Sequence, residues 1–334
     1  MTAYPVRFLG NLARAAVAAV ALAGFALAAL APAPATAGDA APLVSTAWVK
    51  ERLNTLDVLV LDIRSALDGG GAEAYRKGHI PGAVHSDYDK AGWRVTRGNL
   101  PTQLPSVPEL EKLIGETGID EDVHVVVVPA GVHVLDFGAA ARVYWTLKVM
   151  GHRQVSILDG GYAAWTADAA NPVETDVRTA SPRIFTAEVD RTLLASLDDV
   201  NEATRSGRGA LVDARPASFF FGKEKHSGAQ AYGHIPGAVN VDSDALYDQK
   251  ANRLKSKDEL AAALAGIPGG PVTSYCNTGH WAATDWFVLS EVLGRKDVKL
   301  YPGSMVEWTA DARRPVDSQR TKWDDLKKAL GLGS

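Results

Sequence analysis

The sequence has 334 residues, enough for two domains of ordinary size; 46% of them are hydrophobic and 22% are charged. This composition can supply two packed cores and excludes a disordered chain. With 35 Lys and Arg against 39 Asp and Glu, the chain lacks the basic excess that nucleic-acid binding requires. Its single cysteine, Cys276, excludes intramolecular disulfides, CxxC redox pairs and multi-cysteine metal sites.

The first 37 residues have the pattern of a secretory signal peptide. Arg7 and Arg14 give a positive start, an uncharged apolar stretch follows over 15–31, and a small-residue pattern ends at Ala37. A transmembrane anchor is the alternative, because the apolar stretch approaches the length that spans a bilayer. The alanine-rich composition favours cleavage near Ala37. We therefore expect a periplasmic or secreted protein without a stable membrane anchor, in which an unpaired thiol suggests reactivity.

The rest of the chain contains a duplication. The motif Gly-His-Ile-Pro-Gly-Ala-Val occurs at 78–84 and again at 233–239, each time after an Asp-x-Arg motif. A third pair of motifs, at 159–165 and 302–308, ends in tryptophan in both copies. Paired motifs in the same order, about 150 residues apart, indicate a duplicated domain rather than a solenoid of short units.

The duplication sets the expected domain boundaries. We place an N-terminal domain at 43–172 and a C-terminal domain at 184–328. The connecting residues, 173–183, lack hydrophobic periodicity and have the composition of a linker.

Short apolar runs alternate with helical patterns in both halves. Such runs are typical of buried parallel strands. They lie at 58–61, 123–128, 155–158, 211–212, 272–275 and 298–301. The helical stretches 139–150 and 282–293 end at Gly151 and Gly294, which can cap a helix in the left-handed conformation. The alternation predicts an α/β fold with two tandem domains, each a doubly wound parallel sheet flanked by helices.

Cys276 lies in a loop between a predicted strand, which ends at Tyr275, and a helix that begins near Ala282. The N–H groups of such a loop and of the first helical turn have no intrahelical partners. They can surround an anionic sulfur and favour the thiolate. The residues predicted to do so are Asn277, Thr278, Gly279, His280 and Trp281. A buried, inert cysteine is the alternative; we predict that Cys276 is a catalytic nucleophile.

Taken together, the duplicated Asp-x-Arg and Gly-His-Ile-Pro-Gly-Ala motifs, the Asp-Gly-Gly-x-x-x-Trp motif and the single cysteine loop resemble the tandem-domain rhodanese sulfurtransferases over 43–328. The resemblance implies two rhodanese-like domains, of which only the C-terminal one is catalytic. It also implies that Cys276 takes a sulfane sulfur from a donor, becomes a persulfide and passes the outer sulfur to a thiophilic acceptor. Thiosulfate is the expected donor and cyanide or a thiol the expected acceptor, with a sulfur-accepting protein as a further candidate partner. No metal or organic cofactor is implied.

Three other functions are compatible with parts of this pattern. The related dual-specificity phosphatases have a Cys-x5-Arg loop, whereas Ala282 stands at the arginine position here and a phosphate would lack its cationic clamp. Sulfur transfer is therefore the better interpretation. Two alternatives within sulfur chemistry stay open: 3-mercaptopyruvate as the donor, and a non-catalytic persulfide carrier or binding partner.

Asp213 and Arg215 resemble the family pair that forms an ion pair behind the active loop. The same pair recurs as Asp62 and Arg64 in the half without a cysteine, which favours a structural role over catalysis, since buried pairs are costly to break singly.

The duplicated His79 and His234 are likewise expected to support the fold rather than to bind metal, because the histidines show no metal-ligand spacing. In the N-terminal half no cysteine follows the third apolar run. His133 or Asp136 is a candidate for the domain interface, although a solvated loop residue is the commoner case. We expect this half to cover the active site from one side.

The substrate contacts are less clearly indicated. The loop matches neither the Arg-Lys-Gly of thiosulfate-type enzymes nor the Gly-Ser-Gly of mercaptopyruvate-type enzymes, and Phe219 replaces a second substrate-binding arginine of the family. Positive charge to bind an anionic donor would then come from Lys223, Lys225, His226 or His280. Of these, His280 could donate a hydrogen bond or carry a proton near neutral pH. Alternatively, Trp281 and the phenylalanines at 219–221 line a more apolar pocket, or the phenylalanines pack in the core.

Overall fold

The computed structural model describes residues 1–2, 40–321 and 323–324, and the residues from 40 onward belong to one compact unit. The predicted signal peptide lies outside the described residues, apart from its first two positions. Within the described part, no helix is both long enough and apolar enough to cross a membrane.

Each half contains a parallel sheet, as predicted. The N-terminal sheet has the strand order β1-β7-β6-β2-β3 and the C-terminal sheet the order β13-β12-β8-β9, while β4–β5 and β10–β11 form small antiparallel pairs. The strands are β1 Leu43–Val44, β2 Val58–Asp62, β3 Val84–His85, β4 Val95–Arg97, β5 Leu100–Gln103, β6 His124–Val128, β7 Val155–Leu158, β8 Ala210–Asp213, β9 Val239–Asn240, β10 Tyr247–Asp248, β11 Arg253–Leu254, β12 Val272–Tyr275 and β13 Val298–Leu300.

Helices connect the parallel strands. They are α1 Thr46–Glu51, α2 Gly71–Lys77, α3 Val107–Glu116, α4 Val134–Val149, α5 Gly161–Thr166, α6 Leu197–Ser206, α7 Ala217–Phe220, α8 Lys257–Ala263, α9 Trp281–Phe287 and α10 Ser304–Trp308. The predicted helix at 282–293 begins one residue earlier, at Trp281, and its second part is a π-helical turn over Val288–Val292. Gly151 and Gly294 have φ angles of +91° and +70°, the left-handed conformation expected after these helices.

The N-terminal sheet is covered on both faces. Side chains alternate between the two faces of a strand, and along β6 the residues Val125 and Val127 join one apolar cluster while Val126 and Val128 join another. The first cluster contains residues of α3 and α4, and the second contains residues of α1, α2 and α5. The predicted doubly wound arrangement is therefore confirmed for this sheet.

The two halves share one apolar core. The cluster that contains α4 also contains α9 and the centre of the C-terminal sheet. Phe287 of α9 packs edge-on against Phe137 and Tyr144 of α4, with ring centroids 5.7 and 5.0 Å apart, and Tyr144 Oη donates a hydrogen bond of 2.7 Å to Glu291. Because both halves belong to one unit, the boundaries at 43–172 and 184–328 stay a prediction. The helix that follows β12 thus lies directly against the N-terminal half.

Candidate active site

Cys276 is the first residue after β12, and α9 begins five residues later at Trp281. The backbone N–H groups of Thr278 and Gly279 point at its Sγ atom, with N–S distances of 3.4 and 3.1 Å. Gly279 has a φ angle of +76°, which allows the loop to curl around the sulfur. Two of the five residues predicted to surround the sulfur therefore direct their amides to it.

The sulfur is buried. Cys276 is 1% exposed and belongs to the shared apolar core. Burial alone would fit the inert cysteine considered above, but an inert core thiol does not require two peptide N–H groups directed at it. The environment is apolar on one side and donates hydrogen bonds on the other. Such an arrangement can hold negative charge on sulfur.

The segment that follows β13 holds the cysteine loop in place through hydrogen bonds. Ser304 Oγ accepts a hydrogen bond of 3.1 Å from the Cys276 amide and donates one of 2.9 Å to the Tyr301 carbonyl. The amides of Met305 and Val306 donate to the carbonyl oxygens of Cys276 and Asn277, respectively, at 3.0 and 3.1 Å. The role of Ser304 was not predicted from the sequence; the available signal was the repeated motif at 302–308.

The predicted ion pair lies beside the loop. Arg215 Nη2 and Nε donate to the two carboxylate oxygens of Asp213 at 2.6 and 2.8 Å, and both side chains are buried. Burial lowers the pKa of Arg215, but the hydrogen bonds and charge of Asp213 outweigh it and raise that pKa overall. Arg215 also donates to the Gly233 carbonyl at 2.7 Å and to Asn277 Oδ1 at 3.3 Å. The pair therefore joins the Gly-His-Ile-Pro motif to the cysteine loop.

The N-terminal half contains the same pair, and among the described residues its arginine donates no hydrogen bond to the loop after β6. Arg64 Nη2 donates to Asp62 at 2.7 Å and to the Gly78 carbonyl at 2.8 Å. The following histidines are also equivalent, because the Nδ1 atoms of His79 and His234 each lie 2.8 Å from a backbone carbonyl in their own half. These contacts agree with the structural role expected for the duplicated residues.

The N-terminal half covers the cysteine loop. Tyr88 Oη lies 3.0 Å from His280 Nδ1, and Arg142 Nη1 donates to the Gly279 carbonyl at 2.9 Å. At Gly138 of α4 a Cβ atom would lie 2.9 Å from His280 Nε2, so the backbone of α4 closely approaches the imidazole ring. The expectation that this half covers one side of the active site is thereby met in the contacts of the described residues.

Of the two roles considered for His280, a hydrogen bond and a positive charge near neutral pH, its surroundings favour the hydrogen bond. Burial, assisted by the positive charges of Arg94 and Arg142, lowers the pKa of His280 to about 3. The ring is therefore neutral at physiological pH, and it serves as a hydrogen-bonding partner of Tyr88 rather than as a cation.

The phenylalanines considered as substrate contacts differ in their surroundings. The ring of Phe219 lies 5.9 Å from that of Trp281 and 6.0 Å from the guanidinium carbon of Arg215, and both aromatic side chains are partly exposed. Phe220 is buried and stacks on His234, as expected for core packing.

Lys223, Lys225 and His226 remain predictions. Lys223 is exposed, Lys225 Nζ donates to the Ala229 carbonyl at 2.6 Å, and His226 Nδ1 accepts from the Gly228 amide at 3.1 Å. Burial and the charge of Lys225 lower the pKa of His226. These contacts lie within their own segment and not at the cysteine loop.

The structure also aligns the two strand ends, which the sequence left unaligned. The amide of Tyr162 donates to the carbonyl of Pro129 at 2.8 Å, just as the amide of Met305 donates to that of Cys276. Pro129 follows β6 directly, as Cys276 follows β12. The position equivalent to Cys276 is thus occupied by a proline in the N-terminal half.

The first turn of α4, which follows the loop after Pro129, carries the buried carboxyl group of Asp136. Asp136 Oδ2 accepts a hydrogen bond of 2.8 Å from the Val132 amide, and burial raises the pKa of Asp136 to about 6. Asp136 is 2% exposed and interacts electrostatically with Tyr247 of the C-terminal half, so it lies at the interface as considered above. His133 is exposed and caps α4 by accepting from the Leu135 amide at 3.1 Å.

Comparison with known proteins identifies the family. A model described as a rhodanese-like domain matches residues 45–168 and 196–311. The chain belongs to the rhodanese family. It is 32% identical over 283 residues to the 3-mercaptopyruvate sulfurtransferase of Escherichia coli K12, an alignment that covers 82% of this chain and 97% of the relative. It is 31% identical over 279 residues to the thiosulfate sulfurtransferase of Rattus norvegicus, an alignment that covers 80% of this chain and 91% of that relative.

A solved structure supports the same assignment. The crystal structure of SseA from Escherichia coli, described with the rhodanese fold of 3-mercaptopyruvate sulfotransferases, superposes with a TM-score of 0.68 at 29% identity, covering 79% of this chain and 99% of that one. Two rhodanese-like domains in tandem, each with a parallel sheet flanked by helices, are thus confirmed. Among the described residues, no cluster of His, Cys, Asp and Glu is arranged to hold a metal ion.

Proposed function

We propose that this rhodanese-family protein is a sulfurtransferase that moves a sulfane sulfur from thiosulfate to cyanide or a thiol through a persulfide on Cys276. The observation that carries the proposal is the placement of Cys276 Sγ at a strand end with the N–H groups of Thr278 and Gly279 directed at it. The names of the two sulfurtransferase relatives support the same reaction class.

The proposed reaction has two displacement steps. The Cys276 thiolate attacks the outer sulfur of thiosulfate, the sulfur–sulfur bond of the donor breaks, and sulfite leaves with the electron pair. Cyanide then attacks the outer sulfur of the persulfide, the new sulfur–sulfur bond breaks, and thiocyanate leaves while the thiolate is restored. No external oxidant or reductant is consumed. The peptide N–H groups stabilise the negative charge on sulfur in both forms of the enzyme.

The donor is the finer part of the proposal. The 3-mercaptopyruvate sulfurtransferase relative favours 3-mercaptopyruvate as a second candidate. Phe219 is partly exposed beside Arg215 and Trp281 and provides an apolar surface. A second arginine at this position would favour the dianion thiosulfate. Steady-state kcat/KM values for both donors, measured with cyanide as the acceptor, would decide between them.

Mass spectrometry tests the central intermediate. After incubation with thiosulfate, the peptide that contains Cys276 should gain about 32 Da, the mass of one sulfur atom in a persulfide. The Cys276→Ser variant should show neither the gain nor thiocyanate production, and turnover in that variant would refute the proposal. A stable persulfide without cyanide turnover would instead indicate a sulfur carrier that passes its sulfur to a protein acceptor.

We further propose that the protein is exported after cleavage near Ala37, on the basis of the charge and hydropathy pattern of residues 1–37. Expression of the full chain in a Gram-negative host, followed by N-terminal sequencing of the periplasmic fraction, tests this. An uncleaved protein in the cytoplasm or the membrane fraction would contradict it.

A further inference from the structure

Arg142 is a buried cation that the N-terminal half directs at the cysteine loop. It lies on α4 and is 0% exposed. Its Nη1 atom donates to the Gly279 carbonyl at 2.9 Å and reaches the Thr278 carbonyl at 3.5 Å. Gly279 leaves the room for this approach, since a Cβ atom there would collide with the guanidinium. The arginine is therefore fitted against the back of the loop that holds the sulfur.

The 3.5 Å approach of Arg142 Nη1 to the Thr278 carbonyl is to the peptide group that binds the sulfur, and the 2.9 Å hydrogen bond is to the next peptide, 279–280. The carbonyl of Thr278 and the N–H of Gly279 belong to one peptide unit, and that N–H donates to Cys276 Sγ at 3.1 Å. A cation beside the oxygen of a peptide polarises its N–H and strengthens the hydrogen bond on the other side. Arg142 thus supports the shorter of the two hydrogen bonds to the sulfur from the opposite face of the loop.

Arg142 also differs from the other charged groups around Cys276. Among the described residues, the ionisable side chains that interact electrostatically with Cys276 include Arg142, Arg215 and Tyr88. Arg215 is neutralised by Asp213, and burial raises the pKa of the Tyr88 phenol, which stays uncharged. The remaining neighbour, His280, is neutral.

Arg142 keeps its charge and has unused hydrogen-bonding capacity. Burial lowers its pKa to about 10, so it remains protonated at neutral pH. Its Nε and Nη2 atoms have no hydrogen-bond partner among the described residues. An unpaired buried cation costs stability, and an anionic sulfur nearby would compensate for part of that cost.

We propose that Arg142 is a positioning residue for the sulfur of Cys276: it holds the two successive peptide groups at 278–280 and favours the anionic state of Cys276. The loop itself contains neither lysine nor arginine, and the non-catalytic half supplies the cation instead. The use of this effect in sulfur transfer rests on the proposed function, whereas the effect on the ionisation of Cys276 does not.

Thiolate absorbance tests the proposal directly. Because Cys276 is the single cysteine, the absorbance change at 240 nm between pH 4 and pH 9, after subtraction of the Cys276→Ser protein, reports this sulfur alone. We expect the pH of half-ionisation to rise by about one unit in Arg142→Gln, as for the loss of a neighbouring charge. Arg142→Lys, which keeps the charge but loses the planar fork, should give a smaller rise.

Tyr144→Phe is the matched control. It removes a hydrogen bond to Glu291 from the same helix at the same interface, away from the loop, and should leave the titration unchanged. An unchanged pH of half-ionisation in folded Arg142→Gln would overturn the proposal, and so would an equal shift in Tyr144→Phe. If Arg142→Gln does not fold, an unchanged pH of half-ionisation in Arg142→Lys would overturn it. Since the titration uses no sulfur donor, a wild-type protein that forms no persulfide would refute only the proposed function.

Discussion

Ser304 in the C-terminal half occupies the position that Gly161 occupies in the N-terminal half. Both residues have left-handed backbones, with φ angles of +50° and +59°, and both begin a short helix. A non-glycine residue in this conformation costs on the order of 1 kcal/mol. The serine hydroxyl offsets this cost by accepting the hydrogen bond from the Cys276 amide, a bond that the N-terminal half does not need because Pro129 has no N–H.

The variant Ser304→Gly separates the effect of the hydroxyl group from the effect of the strained backbone. We expect stability within about 1 kcal/mol of the wild type, because relief of strain offsets the lost hydrogen bond. We expect kcat/KM with thiosulfate to fall by roughly tenfold, since the loop that positions the sulfur loses an anchor. Ser304→Ala should lose as much activity and be less stable in urea unfolding. Full activity in Ser304→Gly would show that the hydroxyl is dispensable.

The two buried ion pairs allow a matched comparison. Asp213→Asn leaves Arg215 as an uncompensated buried charge, and Asp62→Asn does the same for Arg64. Each should lower the free energy of unfolding by about 3 kcal/mol. Of the two, Asp213→Asn alone should also slow persulfide formation under conditions where both variants are folded, because Arg215 donates a hydrogen bond to Asn277 of the cysteine loop. Equal rates in the two variants would exclude this link.

The buried imidazole of His280 predicts a loss of stability in acid. Its pKa of about 3 in the folded protein lies below the ordinary value of 6.5, so the unfolded state binds more protons between these pH values and stability falls as the pH falls. In His280→Asn this contribution disappears. Urea unfolding should show that, between pH 6.5 and pH 5, the variant loses less stability than the wild type by about 2 kcal/mol. Parallel pH profiles would mean that the pKa of His280 is the same in the folded and unfolded states, which would contradict this prediction.

Asp136 should have the opposite pH dependence. Its pKa of about 6 in the folded protein lies above the usual value of 3.8, so its contribution to stability is complete below pH 3.8 and is lost as the pH rises to about 6. Asp136→Asn keeps an acceptor for the Val132 amide and removes the charge. Its free energy of unfolding should exceed that of the wild type by on the order of 2 kcal/mol at pH 7 and should equal it at pH 4. A gain that does not vary with pH would contradict this assignment.

Local sequence patterns predicted several strands, the two ion pairs and the turn at Cys276. The apolar runs at 155–158 and 272–275 are strands with those same bounds, and the duplicated motifs identified equivalent ion pairs. The turn at Cys276 was also visible, because the end of a strand and the start of a helix are encoded by neighbouring residues.

Contacts between the halves could not be predicted in this way. Arg142 and Gly279 are 137 residues apart, and nothing in the sequence near either residue indicates the other. The neutral state of His280 has the same origin, since the ring is buried by α4 and Tyr88 of the other half. The alignment of Pro129 with Cys276 required backbone hydrogen bonds, because the loops that follow the two residues differ in length.

The packing of α4 against α9 brings together the helices that follow equivalent strands in the two halves. Identical surfaces meet in this way in a two-fold symmetric dimer, so the duplicated chain has the contact pattern of such a dimer fused into one polypeptide. Fusion removes the requirement that both partners remain identical. The two strand ends can then differ, with Cys276 in one half and Pro129 in the other, and the half without the cysteine encloses the loop of the half that has it.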